Sequence, residues 1–219
     1  MCRVPRRAVR HAASSILVHF VPSALSSGRA CHVEAAALSS QFRTYTPAGL
    51  HAYALGTGGS VNAVLEVARN FRLTLTSFYN SGGGRYILGL APDLTVSTNG
   101  SISLVHSMSG IGGFEYQITP ASLVYGYYGG VYAMRNYSVV SAGSCLGFGF
   151  PGSSSAANRF IQEPIFGYVR TFWKSPSYGA LQFITQYSYL VRAPWYVPAG
   201  TPENAHTHMV FADLRFVLP

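Results

Sequence analysis

From Phe42 to Pro219 the chain is a series of runs that alternate apolar and polar residues, joined by connections that are alternately short and long. Val61–Ala68 and Phe71–Tyr79 flank Arg69-Asn70. Gly112–Gln117 and Leu123–Tyr132 flank Thr119-Pro120-Ala121, and Ile161–Trp173 and Gly179–Val191 flank Lys174-Ser175-Pro176-Ser177. Between these pairs lie long stretches rich in Gly, Ser and Asn, over 80–108 and 136–159, and a loop over 193–205 leads into a last run, His206–Leu218. Alternation of period two marks strands with unlike environments on their two faces, and a two-residue link containing Asn marks a hairpin. A soluble sandwich carries loops of mixed length at both ends, whereas a transmembrane barrel keeps short turns at one end and long loops at the other. The pattern predicts an all-β fold: an antiparallel up-and-down transmembrane β-barrel sheet of about 7–8 strands, short of a full barrel, over residues 42–219.

Composition supports β structure. Charged residues make up 10% of the chain and aromatics 14%, with 15 Tyr and 13 Phe, residues that favour pleated surfaces. No run reaches the ~18–20 apolar residues of a membrane helix, which excludes a helical span and leaves barrel strands of ~9–11 residues open. The net charge of +8 is not a nucleic-acid stripe: six arginines against one acid fall before residue 44, and nine basic against six acidic residues follow. Cys2, Cys31 and Cys145 have no spacing of a zinc site or a disulfide framework. Residues 1–41 read as a separate basic segment, either disordered or a degenerate signal peptide. Arg3, Arg6, Arg7 and Arg10 precede a weakly apolar run that Ser14, Ser15, His19 and Pro22 dilute.

Assigning faces by alternation gives candidate site residues. Glu66, Arg72, Glu115, Arg170, Gln182, Gln186, Arg192, Asp213 and Arg215 form a candidate lumen lining, where charge selects solutes or braces the interior. Tyr79, Tyr125, Tyr127, Trp173, Phe183, Tyr187, Tyr189 and Phe216 form candidate lipid-facing and girdle positions, with Leu123 and Val131 on the same outward row. Ile184 and Leu190 break the pattern by falling among polar residues.

Other motifs carry less. Gly82-Gly83-Gly84-Arg85 lacks the Lys-Ser/Thr of a phosphate loop and reads as a loop turn. His206 and His208 stand two apart on one strand face without a third ligand of suitable spacing, so no metal is expected. No G-x-S-x-G elbow occurs, and no carboxylate pair sits in a catalytic motif; neither an enzyme nor a cofactor is expected.

The stretches FRLTLTSFYNSGGGRYILGLAPDL, VYGYYGGVY, NRFIQEPIFGY, TFWKSPSYGALQFITQYSYLVRAPWYV and NAHTHMVFADLRFVLP resemble, in order, the C-terminal portion of bacterial outer-membrane porin-like β-barrel proteins. The resemblance implies an outer-membrane location, contact with outer-membrane lipid, passage of small hydrophilic solutes and no nucleic acid, and it leaves a homo-oligomer open. Two departures stand out. Phe216 is followed by Val217, Leu218 and Pro219 where such barrels finish on an aromatic. The strand count also falls short of the even number, at least eight, of bacterial barrels. Two other readings remain open on sequence: a secreted soluble β-sandwich binding carbohydrate through Tyr and Trp, and a truncated, non-functional fragment of a longer barrel gene.

Overall fold

The computed structural model describes residues 8–20, 31–45, 49, 51–87, 90–141 and 143–219, the first of these segments by its backbone alone. The main feature is one antiparallel sheet whose strands are β1 Ala8–Phe20, β2 Cys31–Tyr45, β3 His51–Ala68, β4 Phe71–Ser81, β7 His106–Thr119, β8 Ser122–Ala133, β11 Asn158–Ser175, β12 Gly179–Pro194 and β13 Ala205–Val217. Two hairpins are inserted between them: β5 Leu94–Val96 with β6 Ile102–Leu104, and β9 Asn136–Ser141 with β10 Ser144–Phe148. Among the described residues, nine long strands pair in the order β1-β2-β3-β4-β7-β8-β11-β12-β13, an up-and-down order in which β1 and β13 are open edges.

The three sequence-predicted hairpins are all present, and their strands run longer than the alternation alone indicated. The β3–β4 turn places Asn70 at φ 63°, a left-handed conformation that Asn tolerates better than most residues. The sheet also begins earlier than residue 42. Strand β2 starts at Cys31, and β1 pairs with it from Ala8↔Tyr45 to Phe20↔Val33. Residues 42–55 hold the end of β2 and the start of β3.

Cross-strand register sorts the side chains, because directly opposed residues share a face. One face carries Leu55, Leu75, Tyr79, Phe166, Tyr187 and Leu214, all more than 40% exposed. Among the described residues no second sheet covers it. The opposite, polar face is partly covered by the chain itself. Phe42 is 1% exposed and Val105 0%, and Ile87 and Ala91 pack with Ala133, Phe78, Val131 and Phe148. Thr44 Oγ1 on β2 donates to the Gly100 carbonyl at 2.8 Å. The 82–105 segment thus folds back over the polar face near the long-loop end. There Asn136 holds the second hairpin to the first, donating to Ser103 Oγ at 2.9 Å and to the Leu104 carbonyl. The buried apolar core lies between this segment and the sheet rather than between two sheets, which is not the layering of a sandwich.

Candidate functional site

One transverse row of the polar face crosses six strands. Glu66 opposes Arg72, which opposes Glu115; Tyr125, Gly167 and Gln186 continue the row through β8, β11 and β12. Arg72 Nη1 lies 3.3 Å from Glu115 Oε2, and Tyr127 Oη donates to Glu115 Oε1 at 2.5 Å. Tyr125 Oη donates to Gln186 Oε1 at 2.9 Å. Nearer the short turns, Gln182 Oε1 accepts from Arg215 Nη2 at 2.7 Å while its Nε2 donates to Thr171 Oγ1 at 3.2 Å. Asp213 stands on the same face opposite Ile184. Arg192 is there too, near the long loops, with Nε donating to Asn158 Oδ1 at 2.5 Å. Register therefore puts eight of the nine candidate lumen residues on one face: Glu66, Arg72, Glu115, Gln182, Gln186, Arg192, Asp213 and Arg215.

Arg170 is on the other face. It opposes Phe183 on β12 and Ser122 on β8, and its Nη1 donates to Ser122 Oγ at 2.8 Å near the short turns. A charged head on a long stem at the end of an apolar strand face reaches the polar boundary, so polarity alone misplaces such a residue.

Tyr125 and Tyr127 need the opposite correction. Both stand on the polar face with Leu123 and Val131, not with the lipid-facing candidates. The cause is glycine on the neighbouring strands. A Cβ added at Gly167 would strike the Tyr125 ring, and one at Gly113 would strike the Tyr127 ring. Each ring lies across a strand where a side chain would stand, and its hydroxyl reaches a polar partner beyond. The run Tyr125-Gly-Tyr-Tyr-Gly-Gly-Val-Tyr132 has aromatics on both parities, so only strand pairing assigns them.

The remaining candidates, Tyr79, Trp173, Phe183, Tyr187, Tyr189 and Phe216, share the apolar face. They fall in two bands. Toward the long loops, Tyr79 Oη meets His106 Nδ1 at 3.0 Å and Tyr187 Oη meets His208 Nδ1 at 2.8 Å, with the Tyr189 and His208 rings 4.7 Å apart. Both His206 and His208 belong to this band, and among the described residues no three His, Cys, Asp or Glu gather as a metal group. Toward the short turns, Trp173 stacks on Phe216 with centroids 6.4 Å apart, and Phe71 stacks on Phe114 at 5.9 Å. Tyr79 and Phe71 are eight residues apart on β4, as are His208 and Phe216 on β13. At ~3.3 Å per residue, and with the ~40° strand tilt of a barrel, the bands would lie about 20 Å apart along a barrel axis, near the ~25 Å apolar height of outer-membrane barrels.

An antiparallel up-and-down sheet with an uncovered apolar face, aromatic bands and long loops at one end defines a porin-like β-barrel fold, here open rather than closed. Among solved structures, the outer membrane channel DcaP of Acinetobacter baumannii is similar to this chain, with a TM-score of 0.66 and 16% sequence identity. The similarity covers 97% of this chain and 54% of that one, so the chain spans about half the length of the channel it matches. No protein-family model matches the chain, and no curated protein matches it in sequence.

Proposed function

We propose that the chain forms wall of a porin-like channel in the bacterial outer membrane, in contact with lipid on its apolar face and passing small hydrophilic solutes along its polar face. The observation that carries this reading is the division of the sheet. Large apolar side chains stand uncovered on one face between two aromatic bands, while Arg72, Glu115, Gln182, Gln186 and Arg215 stand on the other. Water must meet the second face if lipid meets the first. Further strands, from more chain or from a second copy, complete the wall.

Trp173 and Trp195 provide the test. Trp173 is 43% exposed in the short-turn band. Trp195 instead donates its Nε1 to the Ala133 carbonyl at 2.9 Å and lies beside Arg135 and Arg159. In liposomes with brominated acyl chains, a Trp195→Phe variant is expected to show strong quenching of the remaining tryptophan, together with faster swelling in small sugars than protein-free liposomes. A protein that stays in solution without detergent, with unquenched Trp173, fits the soluble carbohydrate-binding reading instead. Quenching without any solute flux fits the non-functional fragment.

A further inference from the structure

The polar face is not polar throughout. Near the 82–105 segment it carries a recess of about 390 Å³ walled largely by apolar side chains. At its floor Glu163 on β11 stands directly opposite Gly129 on β8, which in turn opposes Ile111 on β7. Gly129 presents no side chain between Glu163 and Ile111, and a Cβ there would lie 3.1 Å from Ile111 Cγ1. The cross-strand pair Val131–Ile161 borders it on the long-loop side and the pair Tyr127–Ile165 on the short-turn side. Leu90 adds a wall from the inserted segment.

Among the described residues, Glu163 makes no ion pair and no side-chain hydrogen bond. Two neighbouring groups of the same face are occupied elsewhere. Tyr127 donates its hydroxyl to Glu115 at 2.5 Å, and Arg192 is held by Asn158 Oδ1 and the Ser155 carbonyl, each at 2.5 Å. A half-buried carboxylate bordered by isoleucine, valine and Tyr127 repels anions and attracts cations. It favours a ligand that brings a positive charge to the carboxylate and apolar surface to the walls, with the ring face adding to the attraction. The volume lies at the small end of the ~300–1,000 Å³ range of ligand pockets, room for one compact ring with a charged arm.

We propose that this recess is a subsite for a small organic cation with an apolar body, of the aromatic-amine or aryl-ammonium class, on the solute path. The assignment rests on the polar face being the wet interior of a porin-like barrel, and it narrows that reading from hydrophilic solutes in general to one class that is retained.

The test is calorimetric titration of the protein in detergent micelles with benzyltrimethylammonium and, separately, with benzoate. The cation is expected to bind at least about tenfold more tightly, the scale of one charge-assisted contact. Glu163→Gln is expected to remove that advantage. Leu90→Lys, which sets an ammonium at the recess from outside the sheet, is expected to weaken cation binding at unchanged strand content by circular dichroism, so a folding failure of the first variant leaves the second informative. Benzoate binding as tightly as the cation, or cation binding unchanged in both variants, overturns the proposal. Bromolipid quenching of Trp173 is read in parallel: its loss overturns the membrane reading, whereas intact quenching without cation preference overturns the subsite alone.

Discussion

Asn80 fastens the inserted segment to the sheet, and replacing it with alanine should loosen one without melting the other. The side chain is fully buried; its Oδ1 accepts from the Gly83 backbone N–H at 2.7 Å and from Ser107 Oγ at 3.0 Å. Alanine leaves the buried Gly83 donor unpaired, at about 1–3 kcal/mol, and removes the Ser107 hydrogen bond, worth about 0.5–1.5 kcal/mol. Asn80 Nδ2 has no partner, so deleting it returns about 1 kcal/mol of existing desolvation cost. The net loss is about 1–3 kcal/mol, or roughly 5- to 150-fold more frequent opening of the segment. Amide hydrogen exchange in micelles reads this locally. The Gly82 and Val105 amides, bonded at 2.9 Å to the Val105 and Asp93 carbonyls, should exchange faster by that factor. Amides deep in β11 and β12 should keep their protection. Unchanged exchange at Gly82 and Val105, or a uniform rise across the sheet, would refute the idea of a separately docked segment.

Three further outcomes follow from the face assignments. Gly167→Val drives a branched side chain into the Tyr125 ring and should destabilise the sheet by about 1–3 kcal/mol in detergent-exchange unfolding, with much of the loss recovered in the Gly167→Val/Tyr125→Ala double variant. In planar bilayers Arg72→Ala should shift ion selectivity toward cations while Arg170→Ala leaves it in place, because only Arg72 shares the face of Glu115; equal shifts would contradict the register. Trp173→Ala breaks the stack with Phe216 and should cost about 0.5–1.5 kcal/mol beyond lost contact area, seen as a lower unfolding midpoint next to a Trp173→Phe control.

The hairpins were legible because the alternation is clean where turns are short: Phe71, Leu73 and Leu75 contrast with Arg72, Thr74 and Thr76. Strand β2 was not, because Ala35, Ala36, Ala37, Ser39 and Ser40 give its two faces nearly the same character and leave period two without amplitude. Tyr125 and Tyr127 were assigned to the wrong face for a non-local reason, since the glycines that accommodate them lie on β7 and β11. Arg170 stands near the end of a strand, where a long stem can carry its charge off an apolar face, so polarity does not fix its side. The back-folding of 82–105 depends on Thr44 meeting Gly100, Phe42 meeting Gly82 and Asn80 meeting Ser107, pairings that no local pattern encodes. Leu190 and Ile184 read as blemishes in an alternating run, whereas register groups Ile111, Ile161 and Ile165 around a carboxylate on the same face.

The two open edges set the order of assembly. Every second residue of a thirteen-residue edge strand such as β13 turns its N–H and C=O outward, and in hydrocarbon each unpaired group costs several kcal/mol. Edges left bare in lipid would therefore outweigh the entire stability of an ordinary domain, about 5–15 kcal/mol. In the proposed membrane setting such a sheet would enter the bilayer only as its edges are covered, making insertion and edge pairing one event. Its insertion rate then depends on the concentration of whatever strand completes the wall, rising with protein density if that strand comes from a second copy and independent of density if it comes from the same chain.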